Sequence, residues 1–152
     1  MARIAIVIGS KTDEPLMQPA LDILNDFKID FELSILSAHR KPDQVRKYAL
    51  EAASKGFEVV IAAAGSAAHL PGVIASWTTL PVIGVPLPTS DLKGIDSLYS
   101  IVQMPGGVPV ACVGIGTAGA KNAALLAAQI LANKDADIQK KFADYKRKLA
   151  EA

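Results

Sequence analysis

The chain has one cysteine, Cys112, and two histidines, His39 and His69, in 152 residues. A single thiol excludes a disulfide framework and any multi-cysteine metal site, and its place in the apolar run "VPVACVGIG" is that of a small buried hydrophobe. No His, Cys and carboxylate cluster has the spacing of a metal site. An excess of one charge is missing too: 16 basic side chains stand against 15 acidic ones and the net charge is +1. With no basic block, the electrostatic footprint of a nucleic-acid or anionic-membrane binder is excluded. No apolar run reaches membrane-spanning length, and "MARIAIVIGS" meets turn residues too early for a signal peptide. The expected location is therefore cytoplasmic. Aromatic residues make up only 5%, and no aromatic pair sits in a loop where it would sandwich a flavin.

Apolar residues are plentiful, at 51% against 20% charged, which is rich for a small domain. The surplus points to burial between subunits. The length is that of one domain, 1–152, with 135–152 as a C-terminal helical extension.

Along the chain, short apolar runs alternate with segments of helical period. "RIAIVIG" reads as a strand covered on both faces. "TDEPLMQPALDILNDFK" opens with the cap residues Thr12 and Asp13, an acidic Glu14 and an early Pro15 before its helical spacing; Pro19 is placed to delay or kink the first turn. "FELSI" is a strand, and "PDQVRKYALEAASKG" a helix that starts at Pro42 and is capped by Gly56. "EVVIAAA", "PVIGVP" and "VACVGIG" are three further strands. "GSAAHLPGVIASWTT" and "IDSLYSIVQ" supply helices between them, and "AGAKNAALLAAQILAN" and "DADIQKKFADYKRKLAEA" close the chain as two helices. In the last, Phe142, Tyr145 and Leu149 share the face turned to protein. Such alternation predicts an α/β three-layer sandwich with a parallel sheet and right-handed crossovers. The expected topology is flavodoxin-like, five strands in order 2-1-3-4-5 with helices on both faces and an extra C-terminal helix.

In such sheets ligands bind beyond the carboxyl ends of the strands, where the strand order reverses. The loops after strands 1, 2 and 3 meet there: "GSKTDEP", "SAHRKP" and "AGSAAHLPG". In the first, Gly9 allows a tight turn, and Ser10 and Thr12 offer hydroxyls ahead of a helix N-terminus that favours phosphate or carboxylate. Asp13 can accept from sugar hydroxyls; Thr12 or Asp13 can equally serve as a helix cap. In the second, Arg40 has the planar fork suited to phosphate, and His39 can give or take a proton near neutrality. Read alone, the triplet is a solvated loop; its place at the crevice turns it into a candidate site. Adjacent Arg40 and Lys41 disfavour the imidazolium. In the third, Gly65, Ser66, Ala67 and Ala68 let a flat ligand approach main-chain donors. His69 orients this loop or touches ligand, and Gly72 is a packing or turn residue.

Two familiar spacings do not carry function. "GIGTAG", Gly114 to Gly119, matches G-x-G-x-x-G, yet only helices follow, where a dinucleotide site needs a strand and an acidic residue. A P-loop fails because Lys121 lies between Ala120 and Asn122.

Together, "GSKTD", "SAHRKP", "AGSAAHLPG", "SLYSIVQMPGGVPV" and "NAALLAAQILA", in this order over residues 4 to 132, resemble the 5-(carboxyamino)imidazole ribonucleotide mutases of purine biosynthesis, the class I PurE family. The resemblance implies an isomerase without metal or organic cofactor that moves a carboxylate from the exocyclic amine of an imidazole ribotide to a ring carbon. It implies His39 as the general acid/base; Ser10, Thr12 and Arg40 at the phosphate; Asp13 at the ribose; Gly65 through His69, in particular Gly65, Ser66, Ala67 and His69, around the base and the migrating carboxylate; and Ser37 and Leu70 as further substrate-binding residues. It also implies a homo-oligomer, an octamer with sites at subunit contacts. A sister class that carboxylates aminoimidazole ribotide directly reads "SAHKT" and "GRSN" at these loops, so Arg40 and "GSAAHLPG" favour the mutase. Thr12 and Ser66 stand where the mutase pattern more often has Ser and Gly, and Lys41 where Thr is usual. The alternatives are the direct carboxylase and a non-catalytic flavodoxin-like module that binds phosphate or nucleotide.

Overall fold

The computed structural model describes residues 3–152. Its first strand, β1 (Ile4–Ile8), is completely buried, and alternate side chains serve two different cores. Ile4, Ile6 and Ile8 pack on one face with Val59, Ile61 and Ala63 of β3 (Val59–Gly65) and Ile83, Val85 and Leu87 of β4 (Val82–Leu87). Ala5 and Val7 pack on the other with Val60, Ala62, Ala64 and Val82. Burial on both faces is why these strands read as continuous apolar runs, and each fully buried Ile contributes roughly 1.5–3 kcal/mol.

The first face is covered by α1 (Glu14–Asp26) and α5 (Thr117–Ala132), the second by α2 (Pro42–Glu51), α3 (Leu70–Trp77) and α4 (Ile95–Val102). With the edge strands β2 (Phe31–Ile35) and β5 (Ala111–Cys112), the five strands form one parallel sheet in the order β2-β1-β3-β4-β5. This is the flavodoxin-like arrangement that the alternation predicts. The final helix, α6 (Ala136–Glu151), lies on the α1/α5 layer, where Phe142 and Tyr145 each pack against Phe27 with ring centroids 6.0 Å apart.

Local chemistry sets the element ends. α2 ends at Glu51 with Ala52 as its C-cap, earlier than the sequence suggests. Gly56, at φ 92°, ends the turns that continue it with the paired bonds of a left-handed cap, Phe57 N–H to the Ala52 carbonyl and Gly56 N–H to that of Ala53. Gly72 is a packing glycine, since a Cβ there would stand 2.9 Å from Met104 Sδ. Gly119 likewise lets α5 lie against the Gly114 carbonyl, which a Cβ would overlap.

Several expectations need correction. Pro19 lies inside α1 and does not delay it; the first turn is instead a short 3-10 turn, Lys11–Asp13, capped by the Ser10 side chain, while Asp13 holds the N-cap position of α1 without a side-chain cap bond and Thr12 is not a cap. The fifth strand pairs over two residues only. Gly84 and Pro86 both present their carbonyls toward β5, bonded by Val113 N–H and Gly116 N–H. Pro86 has no N–H to offer on that side, so the ladder ends there. Cys112 is half-buried, not buried; the burial it has pushes its thiol up from the ordinary value. Leu149 is 59% exposed, at the mouth of a groove shared with Val113 and Asn122 rather than packed into the protein.

One ion-pair network ties the bottom of the sheet to α6. The Arg3 guanidinium donates to Glu58 and to Asp135, each at 2.6 Å, and Asp135 also caps α6 by accepting the Asp137 and Ile138 N–H groups. The Arg3 bond first, then the Ile138 N–H, hold the Asp135 carboxyl below its ordinary value. A lowered folded-state value means that this stabilisation is present above the ordinary carboxyl range and lost as pH falls through the folded value. Asp135→Asn keeps a cap but not the charge pair, so it lowers the thermal midpoint slightly at neutral pH. In melts from pH 7 down to pH 3, its deficit relative to the parent shrinks.

Candidate functional site

Ile8, the last residue of β1, is level with Ile35 of β2 and Ala63 of β3. The first two loops therefore leave the sheet at one height and the third two residues further on, after Gly65, and together they surround a crevice of about 350 Å3. It brings together eleven residues that the sequence nominates: Ser10, Thr12 and Asp13; Ser37, His39 and Arg40; Gly65, Ser66, Ala67, His69 and Leu70. Ala68, read from sequence as part of the same ligand-facing loop, is instead buried in the core. Lys41 is not in its lining; it is exposed and stands at the N-cap of α2.

The first loop is held by a reciprocal cap. The Ser10 hydroxyl accepts the Thr12 N–H at 3.3 Å and lies 2.9 Å from the Thr12 hydroxyl, while Ser10 N–H donates to Asp13 Oδ2 at 3.1 Å. The capping groups thus also line the crevice, where two hydroxyls stand beside a helix start suited to an anion. Asp13 is buried. Burial pushes its carboxyl up from the ordinary value, partly opposed by the Ser10 N–H.

The second loop is a tight turn in which the Ser37 hydroxyl accepts Arg40 N–H at 3.3 Å and the Ser37 carbonyl accepts Lys41 N–H at 2.9 Å. It leaves Arg40 and His39 exposed at the rim. His39 Nε2 lies 2.7 Å from Nδ1 of His69, with the rings edge-to-face at 84°. One of these facing nitrogens must donate and the other accept, so the tautomers of the two histidines are coupled. His69 therefore orients His39 and lines the crevice itself.

The third loop begins with Gly65 and Ser66. Ser66 has φ 54°, a left-handed conformation that glycine adopts without strain and serine does not. Beyond it, α3 starts at Leu70 with Pro71 in its first turn, and His69 stands at its N-cap. Among the described residues no group of three or more His, Cys, Asp or Glu could hold a metal ion, and no helix is long and apolar enough to cross a membrane.

Comparison with known sequences gives this constellation a family. The sequence model of the AIR carboxylase family matches residues 3–152. The chain belongs to the AIR carboxylase family. A relative named N5-carboxyaminoimidazole ribonucleotide mutase, from Thermotoga maritima, is 56% identical over 98% of this chain and 86% of its own length. One of the same name from Saccharolobus solfataricus is 55% identical over 99% of this chain and 92% of its own. Among solved structures, that of Treponema denticola PurE superposes with a TM-score of 0.86 at 29% identity, covering 97% of this chain and 91% of that one.

In this AIR carboxylase family member the crevice is also lined by four residues to which the sequence reading gave no binding role: Gly9, Ala38, Ala64 and Thr89. The first three lie inside the motifs already singled out, Gly9 as a turn residue. Thr89 belongs to the loop after β4, which strand order alone does not bring to a three-loop crevice.

Asp13 generates a prediction with a definite sign. Because its folded-state value is raised, its contribution to stability is complete below the ordinary carboxyl range and falls away as pH rises through the folded value. Asparagine can still accept the Ser10 N–H but carries no charge to bury. Asp13→Asn is expected to raise the thermal midpoint at neutral pH, and the gain should close on acidification, when the parent carboxyl protonates. Melting curves from pH 7 down to pH 3 check it.

Proposed function

We propose that this chain is an isomerase that acts as its curated relatives are named, moving a carboxylate from the exocyclic amine to a ring carbon of an imidazole ribonucleotide in purine biosynthesis. The observation that supports this best is the single crevice lined together by the Ser10 and Thr12 hydroxyls, Arg40 and the His39–His69 pair. Ser10, Thr12 and Arg40 take the phosphate, the Arg40 fork pairing with two of its oxygens, with Ser37 holding the turn beneath. Asp13 accepts from the ribose hydroxyls. Gly65, Ser66, Ala67, His69 and Leu70 surround the base.

The reaction balances without an external proton. Breaking the N–C bond of the carboxyamino group frees carbon dioxide and places a proton on the amine; attack by the ring carbon on carbon dioxide releases the proton that carbon held. One is consumed and one returned, so one residue can handle both. In this reading it is His39, whose ring nitrogen exchanges its bond to His69 for one to the ligand. Small residues at 64, 65 and 67 keep the released carbon dioxide beside the ring.

Direct carboxylation of aminoimidazole ribotide is the competing reaction, distinguished by substrate. Purified protein offered the carboxyamino ribotide or, separately, aminoimidazole ribotide with modest bicarbonate should turn over the first efficiently. Turnover of only the second would overturn the assignment. His39→Asn should lower the rate by about 10²-fold or more, the usual share of a general acid/base, with ribotide binding and thermal midpoint nearly unchanged; a fully active variant would sink the role given to His39.

The same reading includes a cytoplasmic homo-octamer. Leu92, Ile95, Tyr99 and Val102 are 63%, 49%, 61% and 48% exposed, and the last three share one face of α4 at helical spacing. Placed between copies, that face accounts for the apolar surplus of the sequence. Sedimentation velocity should show an octamer for the parent and smaller species for Tyr99→Asp; a monomeric parent would contradict the assembly.

A further inference from the structure

The crevice has a fourth side that the three nominated loops do not supply. Leu87 at the end of β4 is level with Gly65 at the end of β3, and two residues later Thr89 reaches over the crevice. Its position depends on Gly65: a Cβ there would overlap the Thr89 hydroxyl oxygen and stand 3.3 Å from the Leu87 carbonyl. The neighbouring Ser90 spends its hydroxyl on the fold, donating to Asp96 at 2.7 Å and accepting Leu92 N–H at 3.1 Å. The Thr89 hydroxyl, by contrast, makes no hydrogen bond within the described residues and belongs to an exposed residue.

Strand order decides which part of a ligand it meets. Arg40 follows β2, Ser10 and Thr12 follow β1, Gly65 to His69 follow β3, and Thr89 follows β4. The β1 and β4 axes are separated by two strand spacings, roughly 10 Å, a distance that a ribotide extended from phosphate to base can bridge. With phosphate at the β1 and β2 loops and ribose at Asp13, the base and its substituents come to the β3 and β4 side. Ala64, Gly65 and Ala67 on that side offer a carboxylate only main-chain N–H groups, and His69 is engaged with His39, so a side-chain hydroxyl would complete its recognition. Ser66, already among the nominated residues, is one; Thr89 is the other.

We propose that the Thr89 hydroxyl, seated over Gly65, is a substrate-recognition group that donates a hydrogen bond to the carboxylate carried on the imidazole ring. The proposal rests on the imidazole-ribotide reading of this crevice and deepens it. Thr89 distinguishes a carboxylated ribotide from the bare aminoimidazole ribotide, and Gly65 is required because any side chain there would displace it.

The test is calorimetry on the full-length protein with two probes, 4-carboxy-5-aminoimidazole ribonucleotide and aminoimidazole ribonucleotide. Thr89→Val keeps the shape and loses the donor; it is expected to weaken the carboxylated ribotide about tenfold, the usual loss for one bond to a charged group, and to leave the bare ribotide unchanged. Thr89→Ser should restore the discrimination. Equal weakening of both probes would assign Thr89 a structural role and overturn the proposal, as would no weakening of either. A parent protein that binds neither ribotide would overturn the functional reading beneath it, a result readily told apart from the others.

Discussion

Everything at the crevice depends on the parallel register of β1 between its two neighbours. Ile8 is level with Ile35 on one side and Ala63 on the other, and Leu36 N–H closes onto the Ile8 carbonyl at 2.8 Å. A one-residue slip of either neighbour would turn its side chains to the wrong face and shift its loop along the strand. The two-sided burial of Ile4 through Ile8 resists such a slip, because each face of β1 packs into a different core. The hydrophobic effect thus fixes the relative heights of Ser10, His39 and Gly65, none of which is itself an apolar anchor.

Over that rigid end the protein keeps features that a structure chosen only for stability would lose. Asp13 is a carboxyl held in a buried place, Ser66 has the backbone conformation of a glycine, and the outer part of the Thr89 loop is exposed. They gather around one crevice, where pre-organisation for a ligand offsets local strain. The His39–His69 contact belongs to the same group. Two imidazoles that share a hydrogen bond restrict each other's tautomer and direction, which the proton transfer proposed for His39 requires and a solvated loop histidine lacks.

Much of this was legible in the sequence because the signals were redundant. Apolar runs of strand length, Pro42 and Pro15 near helix starts and Gly56 at a helix end each specify their elements locally, and their alternation leaves few topologies. The strand order then brings three distant loops together, which is how eleven nominated residues come to line one crevice. What was not legible depends on pairing partners. The brevity of β5 follows from a proline in β4, on the side facing it. The cap on the first turn went to Ser10 because the reciprocal bond with Asp13 needs a side chain three residues before it, two earlier than Thr12. Thr89 gave no local signal, since its place is set by the missing side chain of Gly65 on another strand.

The central claim is that one crevice holds a ribotide with its phosphate at Ser10, Thr12 and Arg40 and its base between His39 and the β3 loop. The most direct measurement is a crystal structure of the protein with 4-carboxy-5-aminoimidazole ribonucleotide bound. The account predicts phosphate oxygens within hydrogen-bond distance of the Ser10 and Thr12 hydroxyls and the Arg40 guanidinium, Asp13 on the ribose, and the ring beside His39. A ligand seated in the reverse direction, or outside this crevice, would contradict it.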